Sequence, residues 1–298
     1  VAVKVKLISG LGNQLFQLAF GLSVAAARGA ELQLETSFYA DPRRSIELGE
    51  YRGDAPFFEA HAPLGNIGAR RGRTPANPAS DTAFYEPVHH GFIDPLKVPL
   101  DKILIGYWQN ERYPLSVRTT LLQRAADVDR SLSGAAKDAL SEIKGHESVA
   151  IHVRRGDYLE PKAQKRFGLC FNGYFRRAVA AVERRARKRG IVASQLTYFV
   201  FSDSPELVPN VISLPPGSIM VSGQGLAARE ELALMRSAKH NIISNSTFGW
   251  WGAWLNESPT KIIVRPVPWY AETDPTGFVP PGWLAVPKVR RRWLSRFR

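Results

Sequence analysis

His152-Val153-Arg154-Arg155-Gly156-Asp157-Tyr158 sets a histidine, two adjacent arginines and an aspartate directly after Ser148-Val149-Ala150-Ile151, an apolar run that reads as a buried strand. Packing alone does not require so many charges at a strand end. Arginine offers a rigid fork of donors that suits phosphate oxygens. Side chains alternate along an extended chain, so His152 and Arg154 share one side and Arg155 takes the other. Asp157 has two readings, an anchor for an arginine or an acceptor of a proton from a substrate hydroxyl. The competing reading of the whole stretch is a surface ion-pair cluster.

Three other stretches carry polar groups of the same kind. In Ser9-Gly10-Leu11-Gly12-Asn13-Gln14, glycines between a strand and a helix let backbone approach a ligand, and the helix N-terminus favours an anion. The stretch matches neither GxGxxG nor the P-loop, so a tight βα turn is the alternative. In Phe201-Ser202-Asp203-Ser204-Pro205-Glu206, Asp203 ends a strand. It is placed either to bind ribose hydroxyls or a guanine edge, or to make a turn before Pro205. In Ser244-Asn245-Ser246-Thr247, hydroxyls precede a helix bearing Trp250, Trp251 and Trp254. That is an anion site, or simple capping with a tryptophan-rich core face. No HxxxH, CxxC or DxD cluster points to a metal, so none is expected. His89 and His90 are expected on the surface of a loop.

The elements that must position these groups alternate strand and helix. Residues 3–8, 31–35 and the start of 102–113 read as strands, with a helix over 14–28 ended by Gly29. Residues 41–99 are rich in loop, including a mobile loop at 69–80. Helices are expected near 115–127 and 133–144. A second series follows, with strands at 148–153, 196–201, 218–222, 240–244 and 261–264 and helices at 172–189, 226–238 and 247–256. The boundary is expected at 146/147, giving two α/β halves, 1–146 and 147–298, with a cleft between them. Ligands of such sheets bind outside the carboxyl ends of the strands.

The 298 residues are 44% hydrophobic and 22% charged, ordinary for a globular protein, and the formal net charge is +13. That charge points to an anionic partner. Six basic and no acidic groups lie in 288–298. There Val289, Trp293 and Phe297 share one helical face, which fits either an amphipathic contact with an anionic membrane or a helix packed on the body. The basic helix at 176–190 reads as a solvated face; it comes with no nucleic-acid-binding signature, and no nucleic-acid partner is expected. The single cysteine, Cys170, excludes a disulfide framework within the chain and is expected as a small buried hydrophobe. No apolar run is long enough for a transmembrane helix. A cytoplasmic bacterial protein is the expectation, peripheral on the inner face of the membrane under the first of the two readings of its tail.

Together the segments resemble glycosyltransferase family 11, the α-1,2-fucosyltransferases. The residues that carry the likeness are 10–21, 106–113, 152–158, 201–204 and 232–256, in family order and across nearly the whole chain. The resemblance implies a GT-B-like enzyme of two facing Rossmann-type domains. It would move fucose from GDP-fucose to O2 of a terminal galactose in a glycan, with inversion and without an essential metal. The acceptor would sit mainly on the N-terminal half and the nucleotide on the C-terminal half. Arg154 would contact the diphosphate, with Arg155 beside it, and His152 the nucleotide region. Asp203 would recognise the nucleoside. Ser246 and Thr247 would lie near the phosphates, with Gly10 and Gly12 as further binding positions. Asn13 would face the cleft, and Asp157 is the candidate base. The chain departs from the family at Ser9, where glycine is common, at Ser204, where a second aspartate is common, and at Gly249, where serine is common. A related transferase using another nucleotide sugar, and a lectin whose tryptophans hold sugar, are the alternatives.

Overall fold

The computed structural model describes residues 1–60 and 82–288. The loop expected at 69–80 and the tail at 289–298 lie outside the described residues. The chain forms two compact units. Unit 1 comprises Val1–Val128 with Thr276–Val279, and unit 2 comprises Asp129–Pro275 with Pro280–Arg298.

Unit 1 is built on β1 (Ala2–Lys6), β2 (Glu31–Glu35), β3 (Phe57–Phe58), β4 (Ala83–Tyr85) and β5 (Ile103–Ile105). They order as β3-β2-β1-β5-β4, with every ladder parallel. Val3 and Val5 alternate into the core. The long helix α1 (Leu11–Arg28) buries Leu15, Phe16, Leu18 and Ala19, and ends at Gly29 in the left-handed region, φ 57°, whose N–H closes on Ala25 O. α2 (Arg112–Ser116) follows β5. The short return of the chain belongs here because Phe278 is fully buried, its ring 5.6 Å from Phe16, and Gly277 O accepts the N–H of Glu111.

The division falls at 128/129, not 146/147. It lies within α3 (Arg118–Arg130), and the next helix, α4 (Gly134–Gly145), packs on elements of unit 2. Glu230 Oε1 accepts the N–H of Ser133, and Arg236 pairs with Asp129 at 2.5 Å. An interval without strands does not reveal which core its helices join.

Unit 2 carries β6 (Glu147–Val153), β7 (Leu196–Ser202), β8 (Ile219–Met220), β9 (His240–Ile242), β10 (Ile263–Val267) and β11 (Leu284–Pro287). The order is β11-β10-β9-β6-β7-β8, again wholly parallel. This is the doubly wound order, in which the winding reverses between the first strand of the series, β6, and the fourth, β9. β6 is buried along nearly its whole length, as a central strand covered on both faces must be. The covering helices include α5 (Pro161–Phe167), α6 (Asn172–Arg187), α7 (Val208–Val211), α8 (Ala228–Ser237) and α9 (Thr247–Trp254). Cys170 is buried in the core, as expected. Among the described residues no helix is long and apolar enough to cross a membrane.

Candidate functional site

In unit 2 the reversal point lies between the carboxyl ends of β6 and β9, where a doubly wound sheet opens a crevice for a ligand. The loop after β6 supplies Arg154 to Asp157, and the loop after β9 supplies Ser244 to Thr247. The two are stitched together. Ser244 N–H donates to His152 O at 3.1 Å, and Ser244 Oγ accepts the N–H of Arg154 at 3.1 Å. Asn245 donates from Nδ2 to Phe167 O and Gly168 O, and its carbonyl accepts the Tyr158 hydroxyl. The loop from 156 to 168 is thereby tied to the start of α9.

Arg154 is a half-buried cation of the group. Nη2 donates to Asp157 Oδ1 at 2.6 Å, Nη1 lies 3.1 Å from Asp203 Oδ2, and Nε is buried without a hydrogen-bond partner. Burial alone would depress the guanidinium's affinity for its proton, but Asp203 and Asp157 outweigh it and hold the pKa above its usual value. Its side chain is 29% exposed, so two carboxylates fix it while further donors remain for an anion.

Arg155 does something different. It is 2% exposed and turned inward, donating to the carbonyls of Arg154 and Cys170 at 2.9 Å each. In this arrangement two of its guanidinium donors brace the loop. Asp203 is also committed to the protein. Oδ1 accepts the N–H of Arg155 at 2.8 Å while Oδ2 faces Arg154. A Cβ on Gly156, whose φ is +24°, would stand 2.2 Å from Oδ2, so glycine is required where the loop closes over this carboxylate. Asp203 therefore anchors Arg154. Asp157 is exposed and engaged by Arg154, which is the positioning alternative of its two readings.

His152 is 3% exposed, with Nδ1 2.9 Å from Ser244 Oγ and its ring 5.5 Å from Phe248. Burial, helped by Arg154, pushes its pKa down to about 3, so the ring is neutral at physiological pH. Gly249 makes room for it, since a Cβ there would lie 2.8 Å from Nδ1. The unfolded chain takes up a proton near pH 6.5 that the folded chain refuses until about 3. Stability from this group is complete above pH 6.5 and is lost as pH falls towards 3. Between pH 6 and 4.5 the unfolding free energy should fall by about 1.4 kcal/mol per pH unit from His152 alone. Denaturant titrations of the wild type and His152→Asn check this; equal slopes in the two proteins would remove the neutral buried histidine.

The helix N-termini of the two units differ in a way that decides between them. At α1, Glu47 Oε2 accepts the N–H of Leu11 at 2.8 Å, so an internal carboxylate already fills the anion position. Gln14 is fully buried and bonds the backbone of Ser9, Ser45 and Glu47, and Gln17 bonds Ile8 and Gly106. Gly10 and Gly12 thus flank an amide that an internal carboxylate already holds. Ser9 holds φ 64°, the left-handed conformation that explains why glycine is common there. At α9, Ser246 makes no side-chain cap and the first turn has no acidic residue. Ser246 is buried and Thr247 partly so, beside Arg154 and His152 in the same loop pair.

Trp250, Trp251 and Trp254 are buried and packed on one another, Trp250 and Trp254 stacking at 5.8 Å, so these rings are core and offer no face to a sugar. Asn13 is held in unit 1 by Gln109 Nε2 at 2.8 Å. His90 is buried, not on the surface, its Nδ1 2.8 Å from Gln109 O. Among the described residues no group of three or more histidine, cysteine, aspartate or glutamate side chains could hold a metal ion.

An arginine beside an uncapped helix at the reversal point of a doubly wound unit has the chemistry to receive an anion. The family model for glycosyl transferase family 11 matches residues 82–279, and the chain belongs to that family of glycosyltransferases. An α-1,2-colitosyltransferase of Escherichia coli is 28% identical over 96% of this chain and 99% of its own length. The O-antigen biosynthesis glycosyltransferase WbnK, also of Escherichia coli, is 26% identical over 93% and 98%. The galactoside α-(1,2)-fucosyltransferase 1 of Plecturocebus brunneus is 29% identical over 53% of this chain and 42% of that one.

Proposed function

We propose that the protein is an inverting fucosyltransferase that moves fucose from GDP-fucose to O2 of a terminal galactose in a glycan. The observation that carries this reading is the pairing of Arg154 with the uncapped N-terminus of α9 at the reversal point of unit 2. The diphosphate binds there. As the bond between the sugar and the β-phosphate breaks, negative charge grows on the phosphate oxygen. Arg154 and the first amides of α9 are already aimed at that charge, and one such preorganised donor is worth about 3 kcal/mol. The sugar carbon becomes oxocarbenium-like, and the acceptor hydroxyl attacks the opposite face. His152, neutral and buried, serves as a packing and hydrogen-bonding group beside the nucleotide. Membership of the family supports glycosyl transfer; the fucosyl donor is favoured by the fucosyltransferase relative.

Transfer of colitose is the second reading, favoured by the full-length relative of that name. Calorimetric titration of GDP, UDP and ADP, each in excess EDTA, tests the nucleotide. Binding of GDP at least tenfold tighter than of the other two is expected. Preference for UDP or ADP would sink the GDP-linked donor. Assay with GDP-fucose against a colitose donor then separates the two sugars.

A further inference from the structure

Unit 2 carries a second concave surface, at the edge of its sheet. A groove of about 700 Å³ runs between α6 and the edge strand β11, and Arg176, Arg177, Ala180, Arg184, Val286 and Pro287 are among the residues that line it. A cavity of about 330 Å³ continues it and shares Arg184, Ala285 and Val286 with it. Arg185, Lys188 and Leu284 line that second part. The helix sequence accounts for the charge. α6 buries Tyr174, Phe175, Ala178, Val182 and Ala186 in the core. Arg176, Ala180, Arg184 and Lys188 follow one another at four-residue steps, one ridge of the helix surface, over about 18 Å. The one acidic residue of α6, Glu183, is half-buried and accepts the Tyr198 hydroxyl at 3.3 Å.

No acidic residue lines either cavity. Arg176, Arg184, Arg185 and Lys188 are exposed, and among the described residues none of them forms an ion pair. Arg177 is used differently. Its Nη2 donates to Pro287 O at 2.6 Å and to Lys288 O at 3.1 Å, which ties the helix wall of the groove to the strand wall. Single exposed charges are at home in water, but several of one sign on one face set up a field that draws anions. The floor beneath them is apolar, formed by Ala180, Leu284, Val286 and Pro287. Arginine and lysine stems lie along such a surface while their heads reach outward. Basic heads over an apolar floor suit the interface of a bilayer with anionic headgroups. The chain's own 289–298 does not complement the groove, since it holds five arginines and no acidic residue. A nucleic-acid strand would meet no aromatic ring in either cavity on which a base could stack.

We propose that the groove between α6 and β11 docks the protein on a membrane that contains anionic phospholipid, with lipid phosphates held by Arg176, Arg184, Arg185 and Lys188. The face that reads as merely solvated in the sequence is then a binding face. The docking is separate from the transfer reaction and holds whichever sugar is moved.

Co-sedimentation of the full chain with vesicles is the test. Phosphatidylcholine vesicles with about 30% phosphatidylglycerol should bring the protein down at about 0.1 M salt, and phosphatidylcholine alone should not. Salt at about 0.5 M should release it, because the Debye length is then only about 4 Å. Each basic group near an anionic surface strengthens binding about fivefold, so Arg176→Gln, Arg184→Gln, Arg185→Gln and Lys188→Gln combined should weaken it at least about 100-fold. Arg184→Glu alone, where the two cavities meet, should weaken it about 20-fold. Lys97→Gln, Lys137→Gln, Lys144→Gln and Lys162→Gln combined remove the same charge from other exposed positions, and binding should stay within about fivefold of wild type. Thermal unfolding should be unchanged in all three variants. Failure of the wild type to bind anionic vesicles, wild-type binding by the α6 variants, or equal losses in the α6 and control variants would overturn the docking site. So would tighter binding of the wild type to single-stranded RNA than to vesicles, lost in the same α6 variants, which would make the groove a nucleic-acid site.

Discussion

Arg154→Ala should lower kcat/KM for fucosyl transfer by about 10³- to 10⁴-fold, a loss near 4 to 5 kcal/mol of transition-state stabilisation. Removing one oxyanion donor accounts for part of that. The remainder comes from what the deletion leaves behind. Asp203 Oδ2 and Asp157 Oδ1 now face Arg154 at 3.1 Å and 2.6 Å. Without the guanidinium both carboxylates remain beside the proposed phosphate site with no cation between them and the leaving group. Like charges at such distances disfavour an anion there by several kcal/mol where solvent is partly excluded. Arg154→Lys should recover little, because one ammonium cannot hold two carboxylates and a phosphate in the fork geometry. The fold should survive, since Asp203 Oδ1 keeps the Arg155 N–H and Arg155 keeps both of its carbonyl partners. Steady-state kinetics, GDP calorimetry and thermal unfolding report the three effects separately. Turnover within tenfold of wild type would remove Arg154 from the chemistry.

The parts of this arrangement that could be read from the sequence are those set by local pattern. β6 and β7 show as apolar runs because both faces are covered, and α6 and α9 show by spacing and by what precedes them. The expectation that alternation separates Arg154 from Arg155 holds only if the strand continues, but β6 ends at Val153, before either arginine. What lies on Arg155's side, the carbonyls of Arg154 and Cys170, depends on a turn that local pattern does not encode. β3, β4 and β11 have two to four residues each and leave no periodic signal. Glu47 closes the α1 N-terminus from 36 residues away, so Ser9 to Gln14 keeps the look of an anion site until the fold is known.

Asp203→Asn should reduce kcat by about 100-fold while leaving the preference for GDP over UDP and ADP unchanged. The amide keeps an oxygen for the N–H of Arg155, so the loop retains its 2.8 Å tie. It loses the charge that Oδ2 presents to Arg154 Nη1, and an NH2 group in that place sets donor against donor. The side chain cannot shift to relieve this, because Gly156 is packed against Oδ2 closely enough to exclude even a Cβ. Arg154 then loses the fixed one of its two anchors and keeps only Asp157, whose carboxylate is 60% exposed. A cation free to move by an ångström stabilises a developing charge poorly, and losses near 100-fold are usual for such misplacement. A stability cost of about 1 to 3 kcal/mol accompanies setting an amide donor against the Arg154 guanidinium in place of the ion pair. Nucleotide selectivity separates the two roles open to this residue: an anchor leaves it intact, whereas a group that reads the base would let UDP or ADP bind as well as GDP. The double variant with Arg154→Ala decides the mechanism of the loss. If Asp203 acts through Arg154, the pair should be no slower than Arg154→Ala alone, because the two changes remove one interaction. Multiplying losses would show that Asp203 meets the donor independently of the arginine.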